Sequence, residues 1–562
     1  MRTNDWVYFI TYGATLTLLA PVLGYWMAKV ISGQPGFIGR ILGPLEKIIY
    51  RLTGIQPDKE MHWRTYLLSL LAFNGLGFLC VFLLQIIQRY LPLNPQHLPN
   101  VPGWLSFNTA VSFMTNTNWQ AYSGETTLSY LVQMAGLGVQ NFLSAATGIA
   151  VMLALARALI RHSSEVIGNF WADVTRTTLY VLLPMSLLLS LVLVQQGAVQ
   201  SFRHNAVART LDGSEQIIPM GPVASQVAIK QLGTNGGGYF GTNSAHPFEN
   251  PTPLTNFLEM LAIMLLPASL IFTFGKMIGN RKHSWMIFGV MMLLLLAGII
   301  AACWADGRME IQLPGIAMEG REYRFGRASS VLWSVLTTAA SNGSVNAMHG
   351  SMAPVTGLVQ LFNMMVGEVI FGGVGCGMYG MILYILLTVF IAGLMVGRTP
   401  EYLGKRIDRY TIVWASIGLL LPSAVILGGT ALSCLSPAAL ASRLNHGPRG
   451  FSEILYAWTS AAANNGSAMA GLNTVTNFYA IGLGAAMLLG RFGVIVPVLA
   501  IAGHLAQGKS IPPSAGTLPT DSLTFSLVLT AVILIVGGLT FFPALSLGPL
   551  IEHILLAAGR LF

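Results

Sequence analysis

Two stretches of this chain carry the same polar signature among small apolar residues. Residues 459–472 read TSAAANNGSAMAGL and residues 337–350 read TTAASNGSVNAMHG. With Gly343 set on Gly466 they agree at Ala339/Ala462, Ala340/Ala463, Asn342/Asn465, Ser344/Ser467 and Ala347/Ala470. Similarity at long range within one chain is read first as internal repetition. Two further stretches fit the pattern, SFNTAVSFMTNTNWQ (106–120) and GPVASQVAIKQLGTNGGGYFG (221–241). Aligning the polar ends makes Asn118, Gly236, Gly343 and Gly466 equivalent, at separations of 118, 107 and 123 residues. The chemistry these residues offer is that of backbone oxygen. Glycine accepts positive φ, which lets successive carbonyls turn toward a common axis.

The elements that must position these loops are set by the solvent. Of 562 residues 9% are charged and 54% hydrophobic, against roughly 25% charge in a soluble domain. Runs near 6–28, 66–88, 131–156, 177–195, 256–274, 285–304, 381–397, 411–433, 476–502 and 523–548 are each long enough to cross a bilayer, for which about 20 apolar residues suffice. The expected fold is an all-α polytopic membrane protein of about ten transmembrane helices. Each polar motif ends a semi-apolar stretch too short to span, flanked by spanning helices. The pattern is helix, pore loop with a re-entrant half-helix, helix, written four times around a pseudo-fourfold pore, with one extra helix at each end. The expected units are 1–30 (extra helix), 63–160, 172–280, 283–397 and 411–505 (pore repeats), and 522–562 (extra helix).

Irregular backbone at membrane depth must be buried in protein or line a water-filled cavity. Small residues let half-helices pack closely, and each half-helix aims its negative C-terminal dipole at the convergence point. Together these make a dehydrated cation site of carbonyl oxygens, the principle of potassium filters. Any one loop could be an ordinary turn between helices; four in register point to a filter.

The net charge of +9 is a topology signal and not a nucleic-acid surface. With the N-terminus outside, the inside connections hold 18 of the 30 basic residues, Lys29, Arg40, Lys47 and Arg51 among them. The first run has no clear cleavage site and reads as a retained anchor. Cys80, Cys303, Cys376 and Cys434 form no CxxC pair and read as small core residues or unremarkable thiols. GHLAQGKS (503–510) satisfies G-x-x-x-x-G-K-[ST], but a spanning helix precedes it and Pro512-Pro513 follows. Proline removes the donors that a phosphate-holding helix start supplies, so no nucleotide is expected on this chain.

The stretches TNTNWQAYSGETTLSY (115–130), LGTNGGGYFGTNSAHPFENPT (232–252), GEVIFGGVGCGMYG (367–380), GRTPEYLGK (397–405) and GRFGVIVPV (490–498) carry a resemblance over essentially the whole chain. The sequence resembles the potassium-binding subunit family (KdpA) of the Kdp potassium-transporting P-type ATPases, within the superfamily of four-repeat K+ transporters. The resemblance implies one filter that selects K+ from the extracellular side, carried over by position to Asn116, Thr117 and Asn118; Thr234, Asn235 and Gly236; Ser341, Asn342 and Gly343; and Asn464, Asn465 and Gly466. Asn118 stands where the other loops have glycine, a departure that the family shares. Gln120 is implied to tune affinity from the filter's flank. Also implied are a bacterial inner-membrane location, membrane lipids and small accessory membrane subunits as partners, and a non-catalytic role, with ATP hydrolysed in a partner P-type subunit. This chain holds no Asp-Lys-Thr-Gly phosphorylation motif. The rival reading is the pore of a Trk/Ktr-type uptake system.

GEVIFGGVGCG (367–377) interrupts what should be the second helix of the third repeat, since each glycine costs about 1 kcal/mol against alanine in a helix. Gly372, Gly373 and Gly375 then belong to an intramembrane loop beneath the filter, the gate that the superfamily resemblance implies. Tight helix packing is the alternative. Glu368 either attracts the ion below the filter or sits solvated at an interface. Arg398 and Arg491 either snorkel to the inner surface or, as the resemblance suggests, place fixed positive charge at the bottom of the pore.

Overall fold

The computed structural model describes residues 3–313, 318–397, 399–509 and 518–560. Among these, ten helices are long and apolar enough to cross a membrane: Asn4–Ile31, Trp63–Ile86, Val132–Ile160, Phe170–Gln195, Pro253–Met277, Arg281–Gln312, Cys376–Met395, Arg409–Leu435, Asn477–Gln507 and Leu523–Ala557. All ten apolar runs of the sequence fall on these helices. The fold is all-α and polytopic, and the only sheets among the described residues are three two-stranded pairs.

The half-helices of the four loops are short and do not span. They are Gly103–Met114, Val223–Leu232, Gly326–Ala339 and Gly447–Ala462, each within one of the four polar stretches or running up to its motif. The extra N-terminal helix lies along Pro253–Met277, where the Tyr12 hydroxyl donates to the Met260 carbonyl at 2.9 Å and Thr273 Oγ1 to that of Gly24 at 3.0 Å. A side chain at Gly24 would collide with the Ser269 carbonyl, so this glycine sets how closely the two helices approach. Val132–Ile160 and Pro253–Met277 are largely enclosed, whereas Trp63–Ile86 is mostly uncovered. The core therefore sits around the half-helices.

One element has no counterpart in the expected layout. Gly36–Thr53 is an amphipathic helix with no buried residue, lying between the first two spanning helices. Phe37, Ile41, Leu45, Ile48 and Leu52 are exposed at a spacing that puts them on one face. The helix is held to the body by Glu46, which accepts from Arg176 Nε at 3.0 Å and from the Tyr180 hydroxyl. Burial alone would raise the Glu46 pKa, but the hydrogen bonds from Tyr180 and Arg176 outweigh it and hold the carboxyl below its usual value.

The third repeat is broken where the glycines predict. Helices Pro354–Met365 and Cys376–Val396 flank an irregular segment. Gly503–Gln507 of the phosphate-loop match are the last turns of a spanning helix; Ser510 lies outside the described residues.

Candidate ion-binding site

The four half-helices end in the same way. In each, the second residue past the helix has positive φ: Asn116 (65°), Thr234 (47°), Ser341 (52°) and Asn464 (60°). The next residue donates its N–H to the carbonyl five positions back: Thr117 to Ser112 (2.9 Å), Asn235 to Lys230 (2.8 Å), Asn342 to Thr337 (3.1 Å) and Asn465 to Ser460 (2.9 Å). This is the Schellman closure of a helix C-terminus, made four times with Asn, Thr or Ser at a position that usually takes glycine. Holding β-branched Thr234 there costs of order 1–3 kcal/mol, a strain that marks the turn as constrained by its surroundings.

One residue further on, φ is positive again, at Asn118 (55°), Gly236 (84°), Gly343 (85°) and Gly466 (94°). Alternating left-handed residues bring successive carbonyls onto one side of the strand. The loops also touch in a ring. A Cβ on Gly236 would collide with the Asn342 carbonyl, one on Gly343 with that of Asn465, and one on Gly466 with that of Thr117. Each wall is thus pressed against the next, from the second loop round to the first. Asn118 carries a side chain at the remaining corner, where Nδ2 donates to Asn141 Oδ1 at 2.6 Å. The facing residue there is Gly237, whose missing side chain leaves room for Asn118.

Side chains stitch the loops from behind. Asn465 Nδ2 donates to the Thr337 carbonyl at 2.9 Å, and Asn342 Nδ2 to the equivalent Lys230 carbonyl at 3.4 Å. Ser341 Oγ donates to the Asn464 carbonyl (2.9 Å), Asn464 Nδ2 to Thr117 Oγ1 (2.9 Å) and Asn116 Nδ2 to the Thr234 carbonyl (2.9 Å). Asn118, Gly236, Gly343 and Gly466 all line one vestibule of about 440 Å³. Gln120 lines it too, and makes a reciprocal pair with Gly238: Nε2 donates to the carbonyl and Oε1 accepts the N–H, both at 2.9 Å.

Below the ring hangs the segment between Met365 and Cys376. Val374 N–H donates to Thr234 Oγ1 (2.9 Å), Gly372 N–H to the Ala339 carbonyl (3.0 Å), and Glu368 Oε1 accepts from Asn465 Nδ2 (3.0 Å). Glu368 is 2% exposed; it is not a solvated interfacial residue. Gly373 lies against Ser341, and Gly375 against Gly148 of a spanning helix. Arg491 is mid-helix in Asn477–Gln507 and 4% exposed, with Nη2 on the Ser144 carbonyl at 3.1 Å. That geometry is not snorkelling. Glu368, Arg491 and Asn464 line a second cavity of about 60 Å³, room for a few waters or a dehydrated ion. Arg398 lies outside the described residues.

The corner residues of the four loops and Gln120 therefore line one vestibule, Glu368, Asn464 and Arg491 line a second cavity, and Gly372 and Gly373 of the broken helix contact the third loop. Sequence reasoning missed what backs the second loop: Lys230, Asn243 and Glu249, all buried. Its one available signal was a lysine inside a semi-apolar stretch, followed by Asn and Glu in the segment HPFENPT and just before it.

The backbone oxygens, the excluded Cβ positions and the enclosed depth suit a dehydrated monovalent cation. No cluster of three or more His, Cys, Asp or Glu residues able to hold a metal ion occurs among the described residues. Comparison with known proteins agrees. The family model for the potassium-transporting ATPase A subunit (KdpA) matches residues 10–554. The potassium-transporting ATPase potassium-binding subunit of Rhodospirillum centenum is 53% identical over 100% of this chain and 99% of its own length. That of Pseudomonas aeruginosa is 52% identical over 99% of each. Among solved structures, the potassium transporter TrkH of Vibrio parahaemolyticus superposes with a TM-score of 0.52 at 14% identity, over 85% of this chain and 96% of that one, a likeness of fold. The chain belongs to the KdpA family of potassium-transporting ATPase A subunits.

Proposed function

We propose that this chain is the potassium-binding and translocating subunit of an ATP-driven K+ uptake complex. The observation that carries the reading is the ring. Four equivalent loops close on one axis, with their corner residues lining a single vestibule. K+ enters the vestibule from the extracellular side, loses its water to the carbonyls of residues 116–118, 234–236, 341–343 and 464–466, and passes the Glu368 segment into the cavity below. Glu368 offers negative charge there, while Arg491, and Arg398 by position in sequence, oppose straight leakage to the cytoplasm. The ion is handed to a separate P-type subunit that hydrolyses ATP, in an assembly with small accessory membrane subunits. This chain binds K+ and no nucleotide. The chain sits in a bacterial inner membrane, and the excess of basic residues in alternate connections supports an N-terminus on the outside.

The test is K+-stimulated ATPase activity and rubidium-86 binding of the complex purified with its P-type partner, wild type against Gly236→Asp. A side chain there meets the Asn342 carbonyl and brings negative charge. Weakened K+ dependence or admitted Na+ in an assembled complex is the expected result. Unchanged K+ dependence in an assembled complex overturns the reading.

A further inference from the structure

The second filter loop differs from the other three in what stands behind it. Lys230 and Glu249 form an ion pair with both side chains 0% exposed. The Lys230 ammonium also donates to Asn243 Oδ1 at 2.6 Å, and Asn243 Nδ2 donates to the Gly236 carbonyl at 2.6 Å. Glu249 Oε1 accepts the Phe240 N–H at 2.9 Å, so the acid is tied to the backbone that follows the filter.

The chemistry fixes the direction of this chain of bonds. An ammonium has donors only, so the Asn243 oxygen must face it, and the amide nitrogen is left to face Gly236. The cation polarises the amide and strengthens its N–H as a donor. Glu249 compensates the lysine charge, without which the burial would be prohibitive. Asn243 itself is left-handed, with φ 56°. A Cβ on Gly238 would press on both Glu249 and Asn243, which accounts for the third glycine of the GGG run. Among the described residues, no comparable side-chain donor meets the carbonyls of Asn118, Gly343 or Gly466.

We infer that the Lys230–Asn243–Glu249 relay is a positioning device for the Gly236 carbonyl, and that it sets K+ affinity by fixing that oxygen's aim and charge at one corner of the outermost ring. The inference rests on the filter reading above. It explains why the segment from Lys230 to Glu249 is polar at membrane depth, where a plain packing role would be served by apolar side chains.

The experiment uses the assembled complex and compares half-saturating K+ with maximal rate. Asn243→Ala removes both bonds; Asn243→Asp keeps the shape and the oxygen for Lys230 but removes the donor to Gly236. Both are expected to raise half-saturating K+ by about tenfold, the scale of one hydrogen bond, with a smaller change in maximal rate. If Asn243→Ala does not assemble, Asn243→Asp, which is isosteric, decides alone. Wild-type half-saturation in assembled Asn243→Asp overturns the relay, because a role confined to holding Lys230 would survive that change. Gly236→Asp in the same assay separates the two ideas. If it shifts K+ dependence while Asn243→Asp does not, the filter stands and the relay falls; if neither shifts it, the filter reading falls as well.

Discussion

The filter loops and the segment between Met365 and Cys376 are both irregular backbone at membrane depth, yet they are built on opposite principles. The filter loops share one helix closure used four times, and three of their corners fit so tightly that a single Cβ would not enter. The lower segment occurs once. It has positive φ at Gly367, Glu368, Phe371, Gly372 and Gly375 and hangs from the filter by three hydrogen bonds. Val369, Ile370, Phe371 and Val374 are also buried, each 1% exposed or less, so packing holds the segment as well as hydrogen bonds. The corner loops are fixed by one closure repeated against its neighbours, whereas the lower segment is a single irregular insert held by its own packing and hydrogen bonds.

The strongest way to break this comparison is a methyl group at a corner. Gly466→Ala forces a left-handed alanine whose Cβ strikes the Thr117 carbonyl, and rubidium-86 binding to the assembled complex should fall by about 100-fold or more, the scale of combined strain and overlap. If it binds normally, the ring is not tight. The lower segment should respond less. Glu368→Ala removes the acceptor for Asn465 and leaves a buried amide short of a partner, with an expected loss in transport rate of about tenfold, while Glu368→Gln keeps an acceptor and should lose less. An alanine variant that transports at the wild-type rate would sever the segment from the pathway. The smallest effect belongs to Gln120, half-buried at the mouth. Gln120→Ala loses both bonds to Gly238 and should raise half-saturating K+ by about three- to tenfold, measured by K+-stimulated ATPase activity; an unchanged value would confine control of affinity to the ring.

Spans and loops were legible because each rests on a local pattern. Apolar length marks a spanning helix, and Gly236, Gly343 and Gly466 mark the corners because no other residue fits. The turn positions were harder. Asn116, Thr234, Ser341 and Asn464 hold left-handed backbone without glycine, and what stabilises them is contact with neighbouring loops more than 100 residues away, such as Ser341 with Asn464. The Lys230–Glu249 pair was invisible for a related reason. In sequence a buried charge and a solvated loop charge look alike until the partner is found. The Gly36–Thr53 helix had a readable period in Phe37, Ile41, Leu45, Ile48 and Leu52, but a search for segments long enough to span passed over it. Arg491 shows the converse: an arginine in an apolar run suggests an escape to the surface, and only packing reveals that its carbonyl partner lies inside.

The contact of Gly466 with the Thr117 carbonyl joins the last loop to the first, and Asn464 reaches Thr117 Oγ1 across 347 residues of chain. This has a consequence for biogenesis. A nascent chain that has inserted three repeats owns three sides of the ring and a polar cleft open along the fourth. Its asparagines and free carbonyls then face lipid, a translocation partner or trapped water until the fourth repeat arrives to shut it. The ring therefore cannot close until the fourth repeat has been made, with the Leu523–Ala557 helix still to follow.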